Sequence, residues 1–209
     1  MDEKLKHIIE ETSKLFIRYG VKSVSMDDIA NHLGMSKKTL YQYFADKKDL
    51  VLSIITHHTA ETNFCFHELS KLEGNAIDIL VKVSEILIEN FGKINPAVNF
   101  DLQKYYPEAF KALLDHKHSH VLENIELNLN RGIKEGLYRK GLNVKIIAYF
   151  YMARMDQIFA LDASDESLKD VKTEDILREL LIYHIRGIAN EKGVEYLENK
   201  LLKELKGKK

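Results

Sequence analysis

Lys37, Lys38, Thr39 and Gln42 set two cations, a hydroxyl with a methyl group and an amide within six residues, with Tyr41 and Tyr43 between and beside them. That mixture suits the edges and phosphates of a nucleic-acid duplex. An amide matches adenine, a lysine matches guanine acceptors or phosphate, and threonine matches a thymine methyl or the backbone. Lys37, Tyr41 and Tyr43 can hydrogen-bond phosphates, which fixes register without reading sequence. Lys47 follows Asp46 in the first turn of a further helix, where the helix field favours an anion such as phosphate.

Two short helices around a tight turn are needed to present that set, and the stretch SMDDIANHLGMSKKTLYQYFADKKDL, residues 25–50, supplies them. Ile29, Ala30 and Leu33 have helical spacing, Gly34-Met35-Ser36 breaks it, and Leu40 and Phe44 resume it. Ser25 with Asp28 three residues on reads as an acidic capping box, and Ser36 caps the second helix. Both serines are counted with the DNA-facing set. At 100° per residue Leu40 and Phe44 point together into a core, leaving Lys38, Thr39 and Gln42 on the opposite face. A helix from about Glu3 to Tyr19, stopped by Gly20, carries Leu5, Ile8, Ile9, Thr12, Leu15, Phe16 and Tyr19 on one side. It would pack behind the pair and complete a three-helix domain with a core of Phe16, Ile29, Leu33, Leu40 and Phe44.

The order IA..LGMSK.TLY.YF..K.DL is similar to the signature of the tetracycline-repressor (TetR) family of bacterial transcriptional regulators. The match covers roughly the first quarter of the chain, with Lys38 where many members have Gly. The resemblance implies that the second helix of the motif enters the major groove, that Tyr41, Tyr43 and Lys47 hold phosphates, and that the last two main helices pair two subunits. The segment RGIKEGLYRKGL, residues 131–142, resembles the place where family members turn between two helices of the ligand domain.

Bulk composition agrees with a helical regulator. Among 209 residues there are two Pro and ten Gly, and runs of alternating β-branched residues are few, so the expected class is all-α. The division expected is a helix-turn-helix domain at residues 1–48 and a ligand-binding and dimerisation domain at 49–209. A net charge of -1 argues against a basic coating protein. The charge is local instead. Residues 36–48 hold four Lys against one Asp, whereas the first fifty hold nine basic and eight acidic side chains. Cys65 is the single cysteine, so no intrachain disulfide can form. Residues 1–11, MDEKLKHIIEE, lack the apolar core of a signal peptide and no run approaches a membrane span, so a cytoplasmic protein is expected.

Beyond Asp46 an unbroken helical pattern runs to about Leu72, which reads either as a transmission element or as a plain core helix. Gly74-Asn75 then marks a break, a helix from Ile77 ends near Gly92, Asn95 caps the turn at Pro96, and Pro107 opens a long helix to about Lys134. On that helix His118 shares an arc with Phe110, Leu114, Val121, Leu122, Ile125, Leu129 and Ile133. It is either a hydrogen-bonded core histidine or a ligand contact. His116 and His120 fall away from the arc, and no histidine set has metal-site spacing, so neither metal nor cofactor is expected. Residues 144–161 are apolar on nearly every side, which calls for cover from two directions, one of them a partner subunit. The acidic stretch Asp162 to Asp170 reads as a loop, and a helix restarts at Thr173 with Gly187 inside it, suited to close helix contact.

The function these features imply is a homodimeric, ligand-responsive regulator, most simply a repressor, released from a palindromic double-stranded operator by a small hydrophobic or amphipathic effector. Candidate pocket residues are Phe64, Phe91, Phe100, Tyr105, Phe110, Leu114, His118, Tyr151, Met152 and Met155, although aromatic and Met residues at helical spacing are more often plain core. The alternative is a constitutive DNA-binding or partner-binding protein of the same fold. No nucleophile with its base, no phosphate loop and no carboxylate constellation stands at motif spacing, so an enzyme is not expected.

Overall fold

A computed structural model describes residues 2–71, 73–91, 95, 97–159 and 171–207. Its helices are α1 (Glu3–Tyr19), α2 (Met26–His32), α3 (Lys37–Leu40), α4 (Lys47–Lys71), α5 (Ala76–Phe91), α6 (Ala97–Tyr105), α7 (Pro107–His116), α8 (Leu122–Lys134), α9 (Val144–Phe159), α10 (Thr173–Ile188) and α11 (Glu191–Gly207). A π-helical turn, Lys117–Val121, joins α7 to α8. No strand forms among the described residues; Tyr138 and Ala189 make an isolated antiparallel bridge. The all-α class expected from composition is therefore what the chain adopts.

The chain divides into two compact units. The first comprises Met1–Cys65 and Gly92–Ser119, the second Phe66–Phe91 and His120–Lys209. These units do not follow the expected boundary after residue 48, because α6 and α7 pack with the N-terminal helices. The first core joins Ile8, Ile9 and Phe16 of α1, Ile29 of α2, Leu40, Phe44, and Leu50 and Val51 of α4 to Leu102 and Ala109. Polar contacts reinforce that joint: buried Asp101 accepts the Lys22 amide at 2.7 Å, and Asn95 donates from its backbone to the Ile17 carbonyl at 2.7 Å and from its side chain to that of Arg18 at 3.2 Å.

Asn95 also caps α6, its Oδ1 accepting from the Ala97 amide at 2.9 Å, and Pro107 stands in the first turn of α7 as its fixed φ favours. The expected single helix over 107–134 is one helical run with the π turn inside it. A π turn takes in an extra residue, so positions beyond it slip relative to a 3.6-residue wheel. The histidine assignment is corrected already upstream of that slip, because the buried face of α7 runs through Ala109 and His116, seven residues apart. His118 is exposed, while His116 is buried with its Nε2 2.8 Å from Asn63 Oδ1.

In the second unit α5 packs on α8 and α10, α8 on α9, and α11 on α10. Ile77, Leu129, Tyr138, Ala148, Leu181, Ile185, Ile188 and Leu197 form its core. Buried Asn128 crosses it, donating to the Ala76 carbonyl at 2.9 Å and accepting from the Tyr138 hydroxyl at 3.2 Å. The Tyr138 ring lies against Gly132, where a Cβ would overlap ring carbons, so the resembling segment 131–142 is built around that close approach. The acidic stretch 162–170, Pro96 and Gly92 lie outside the described residues. No helix among the described residues is long and apolar enough to cross a membrane.

Candidate nucleic-acid interface

The reading head is assembled from caps. Ser25 Oγ accepts the Asp28 amide at 3.1 Å while Asp28 Oδ2 accepts the Ser25 amide at 2.8 Å and the Ser25 hydroxyl at 2.6 Å, so the acidic capping box closes in both directions. Those hydrogen bonds from Ser25 hold the Asp28 carboxyl below the usual carboxylate range. Gly34, with φ +63°, makes the turn in the left-handed region that a side chain would strain. Ser36 Oγ then accepts the Thr39 amide at 3.0 Å and lies 2.8 Å from Thr39 Oγ1. Both serines spend their oxygens on the helix starts.

The second helix of the motif is short. After Leu40 the backbone tightens, with Gln42 bonded to the Thr39 carbonyl and Tyr43 to that of Leu40, three residues back in each case. Leu40 and Phe44 are buried as their spacing requires. Lys37, Lys38, Tyr41 and Gln42 are exposed, Thr39 and Tyr43 half-buried. Lys37 is not a lone cation, since its Nζ lies 2.8 Å from Asp27 Oδ1, and that hydrogen bond holds its pKa above the ordinary lysine value. Tyr43 lies under the Lys4 ammonium, 5.7 Å from the ring centroid. Among the described residues of α3 and the turn that follows it, Gln42 and Lys38 face out with their amide and ammonium groups exposed.

Lys47 departs from its expected place. Its ammonium turns inward to the Val21 carbonyl at 2.5 Å, 5.6 Å from the Phe16 ring centroid and 5.8 Å from that of Tyr106. Desolvation lowers its pKa. A four-carbon stem can fold back over the apolar surface below it, so a place in the first turn of a helix does not settle where the charge goes. Asp46 caps α4 as expected, accepting the Asp49 amide at 2.9 Å, and Asp49 in turn accepts the Ala45 amide at 2.9 Å. Asp27 and Asp101, which restrain this head, carry no motif by which sequence spacing could single them out, whereas Asp49 is the aspartate of the K.DL end of the signature.

The ten candidate pocket residues divide between the units. Phe64 (67% exposed), Phe100 (55% exposed) and His118 stand on the surface, correcting their placement in an interior lining. Phe100 meets Tyr105 edge-on at 6.5 Å with Lys104 over both rings. Phe110 packs against the first core, Leu114 is half-buried, and the Phe91 side chain lies outside the described residues. In the second unit Tyr151 and Met152 are buried and Met155 half-buried. Tyr151 lines a cavity of about 640 Å3 between α9 and α10, bordered by Phe150, Arg154, Gln157, Tyr183, His184 and Gly187. There it stacks on His184 at 4.0 Å.

A family model described as bacterial regulatory proteins, tetR family, matches residues 8–54. The chain is 27% identical over 195 residues to the HTH-type transcriptional regulator YvaF of Bacillus subtilis, covering 91% of this chain and 98% of that one. Among solved structures, a TetR-family transcriptional regulator from Agrobacterium tumefaciens superposes with a TM-score of 0.73 at 18% identity, covering 90% of this chain and 98% of that one. A transcriptional regulator from Saccharomonospora viridis in complex with choline does so with 0.75 at 19%, covering 91% and 100%. With a helix-turn-helix closed by its own caps and an all-helical remainder, residues 8–54 match the tetR family of bacterial regulatory proteins, and the chain as a whole is similar to transcriptional regulators of that fold.

Proposed function

We propose that the chain is a ligand-responsive repressor that pairs as a homodimer and binds a palindromic operator in double-stranded DNA, from which a small hydrophobic or amphipathic molecule releases it. The observation that carries the reading is the presentation of Lys38 and Gln42 outward while Leu40 and Phe44 anchor the same turn. In this reading residues 1–48 read DNA and 49–209 sense and pair. Gln42 and Lys38 touch bases, Thr39 adds its methyl, Tyr41, Tyr43 and Lys37 hold phosphates, and Ser25 and Ser36 keep the helix starts in place. It acts by binding rather than catalysis, in the cytoplasm where its DNA lies.

Pairing is supported by the apolar side chains left uncovered on α9 and α10: Ile146, Tyr149, Phe150 and Tyr183 are exposed, the last 78%. At Gly187 a Cβ would meet nothing within 4 Å, which leaves room for a second subunit's helix. A dimer carries two heads to the two halves of a symmetric site. The fold admits small molecules, since one structural neighbour is named in complex with choline. An effector would act by its greater affinity for the state whose heads no longer fit the operator.

Selection of bound fragments from random DNA tests the reading. It should return an inverted repeat, and Gln42→Ala should relax preference at one position of each half-site by about 1–3 kcal/mol. Preference left intact at every position would reject the assignment of Gln42. A compound panel that never releases the selected operator would leave a constitutive DNA-binding protein.

A further inference from the structure

We propose that Glu10 of α1 with His57 and Glu61 of α4 forms a binding site for a divalent transition-metal ion in the first unit. Each offers one ligand atom, and the three atoms lie within 4.8 Å of one another. His57 and Glu61 stand on successive turns of α4, with His57 Nδ1 3.6 Å from Glu61 Oε2, and Glu10 arrives from a different helix. The imidazole is mostly enclosed, its side chain 15% exposed, while Glu61 is open to solvent and gives an entry path.

The donor set decides the class of ion. Two carboxylates and a neutral imidazole carry two negative charges, which a dication cancels. Nitrogen ligation favours Zn2+ and its first-row neighbours over Mg2+ and Ca2+, which prefer all-oxygen shells. Three protein ligands leave a coordination position for water, as in open zinc sites. Metal bonds of about 2.1 Å need ligand atoms about 3.4 Å apart, a contraction within the rotamer reach of two glutamates. Lys6 Nζ, 3.5 Å from Glu10 Oε1, is the competing cation, but both side chains are half open to solvent and such a pair is weak. A bound ion would tie α1 to α4 directly, and the site stands independently of the operator reading.

The test is calorimetric titration of the full, untagged chain with Zn2+, and separately with Mg2+, alongside thermal melts. One Zn2+ per chain should bind and raise the Tm, with Mg2+ ineffective. His57→Ala, Glu10→Gln and Glu61→Gln should each weaken that binding by about tenfold or more, while His120→Ala, outside the cluster, leaves it unchanged. Should His57→Ala fail to fold, the exposed Glu61→Gln decides alone. Absence of Zn2+ binding, equal affinity for Mg2+, or Zn2+ binding that survives both the His57 and Glu61 changes would overturn the site.

Discussion

Two lysines in the reading head have opposite fates. Lys38 is exposed, whereas Lys47 donates to the Val21 carbonyl under the turn between α1 and α2. Lys38→Ala should lower the salt slope of operator binding by about one. Lys47→Ala should leave that slope nearly unchanged and cost on the order of 1 kcal/mol of stability, the value of a lost internal hydrogen bond. Salt titrations of binding together with denaturant melts separate the two. In the second unit, burial pushes the His184 imidazole down to about 4, and its Nε2 has no hydrogen-bond partner among the described residues. The folded chain holds this ring neutral while the unfolded chain protonates it near its ordinary value. Stability should therefore fall as pH drops from about 6.5 towards about 4. His184→Phe, which keeps a ring on Tyr151, should remove about 2 kcal/mol of the loss seen between pH 7 and pH 5. At this scale the caps were legible, because Ser25, Asp28 and Ser36 act within three residues of themselves. The direction of Lys47 was not, because its acceptor is a carbonyl on another segment.

At the scale of elements, apolar period and glycine placement located the helices closely, from the stop at Gly20 to Pro107 at the start of α7. The failure came where a helix is not an α-helix. His118 falls inside the π turn and is exposed, whereas the buried face of α7 runs through Ala109 and His116, and no residue in Lys117–Val121 announces the turn. The turn after α8 makes a sharper demand. With the Tyr138 ring against Gly132, Gly132→Ala should destabilise the second unit by about 1–3 kcal/mol despite the better helix propensity of alanine. Urea melts check this, and a gain in stability would contradict the close approach. The resembling segment was visible in the sequence, whereas the reason for its glycine needed the ring to be seen on top of it.

For the whole molecule, the proposed pairing predicts a dimer by light scattering at micromolar concentration. Phe150→Glu or Tyr183→Glu, on the uncovered face of α9 and α10, should give a folded monomer with weakened operator binding. A monomeric wild type would remove the pairing argument. The apolar surplus of α9 was readable because a helix greasy all round needs two covers. The division of the chain was less so, because Asp101 meets the Lys22 amide and Asn95 meets the end of α1 from residues far along the chain. That joint bears on how such regulators can be recombined. A head cut out after residue 48 would leave behind the carboxylate and amide that hold its first turn, along with Leu102 and Ala109 of its core. Chimaeras that exchange DNA specificity should therefore graft only the outward residues of α3, or carry α6 and α7 with the head they serve.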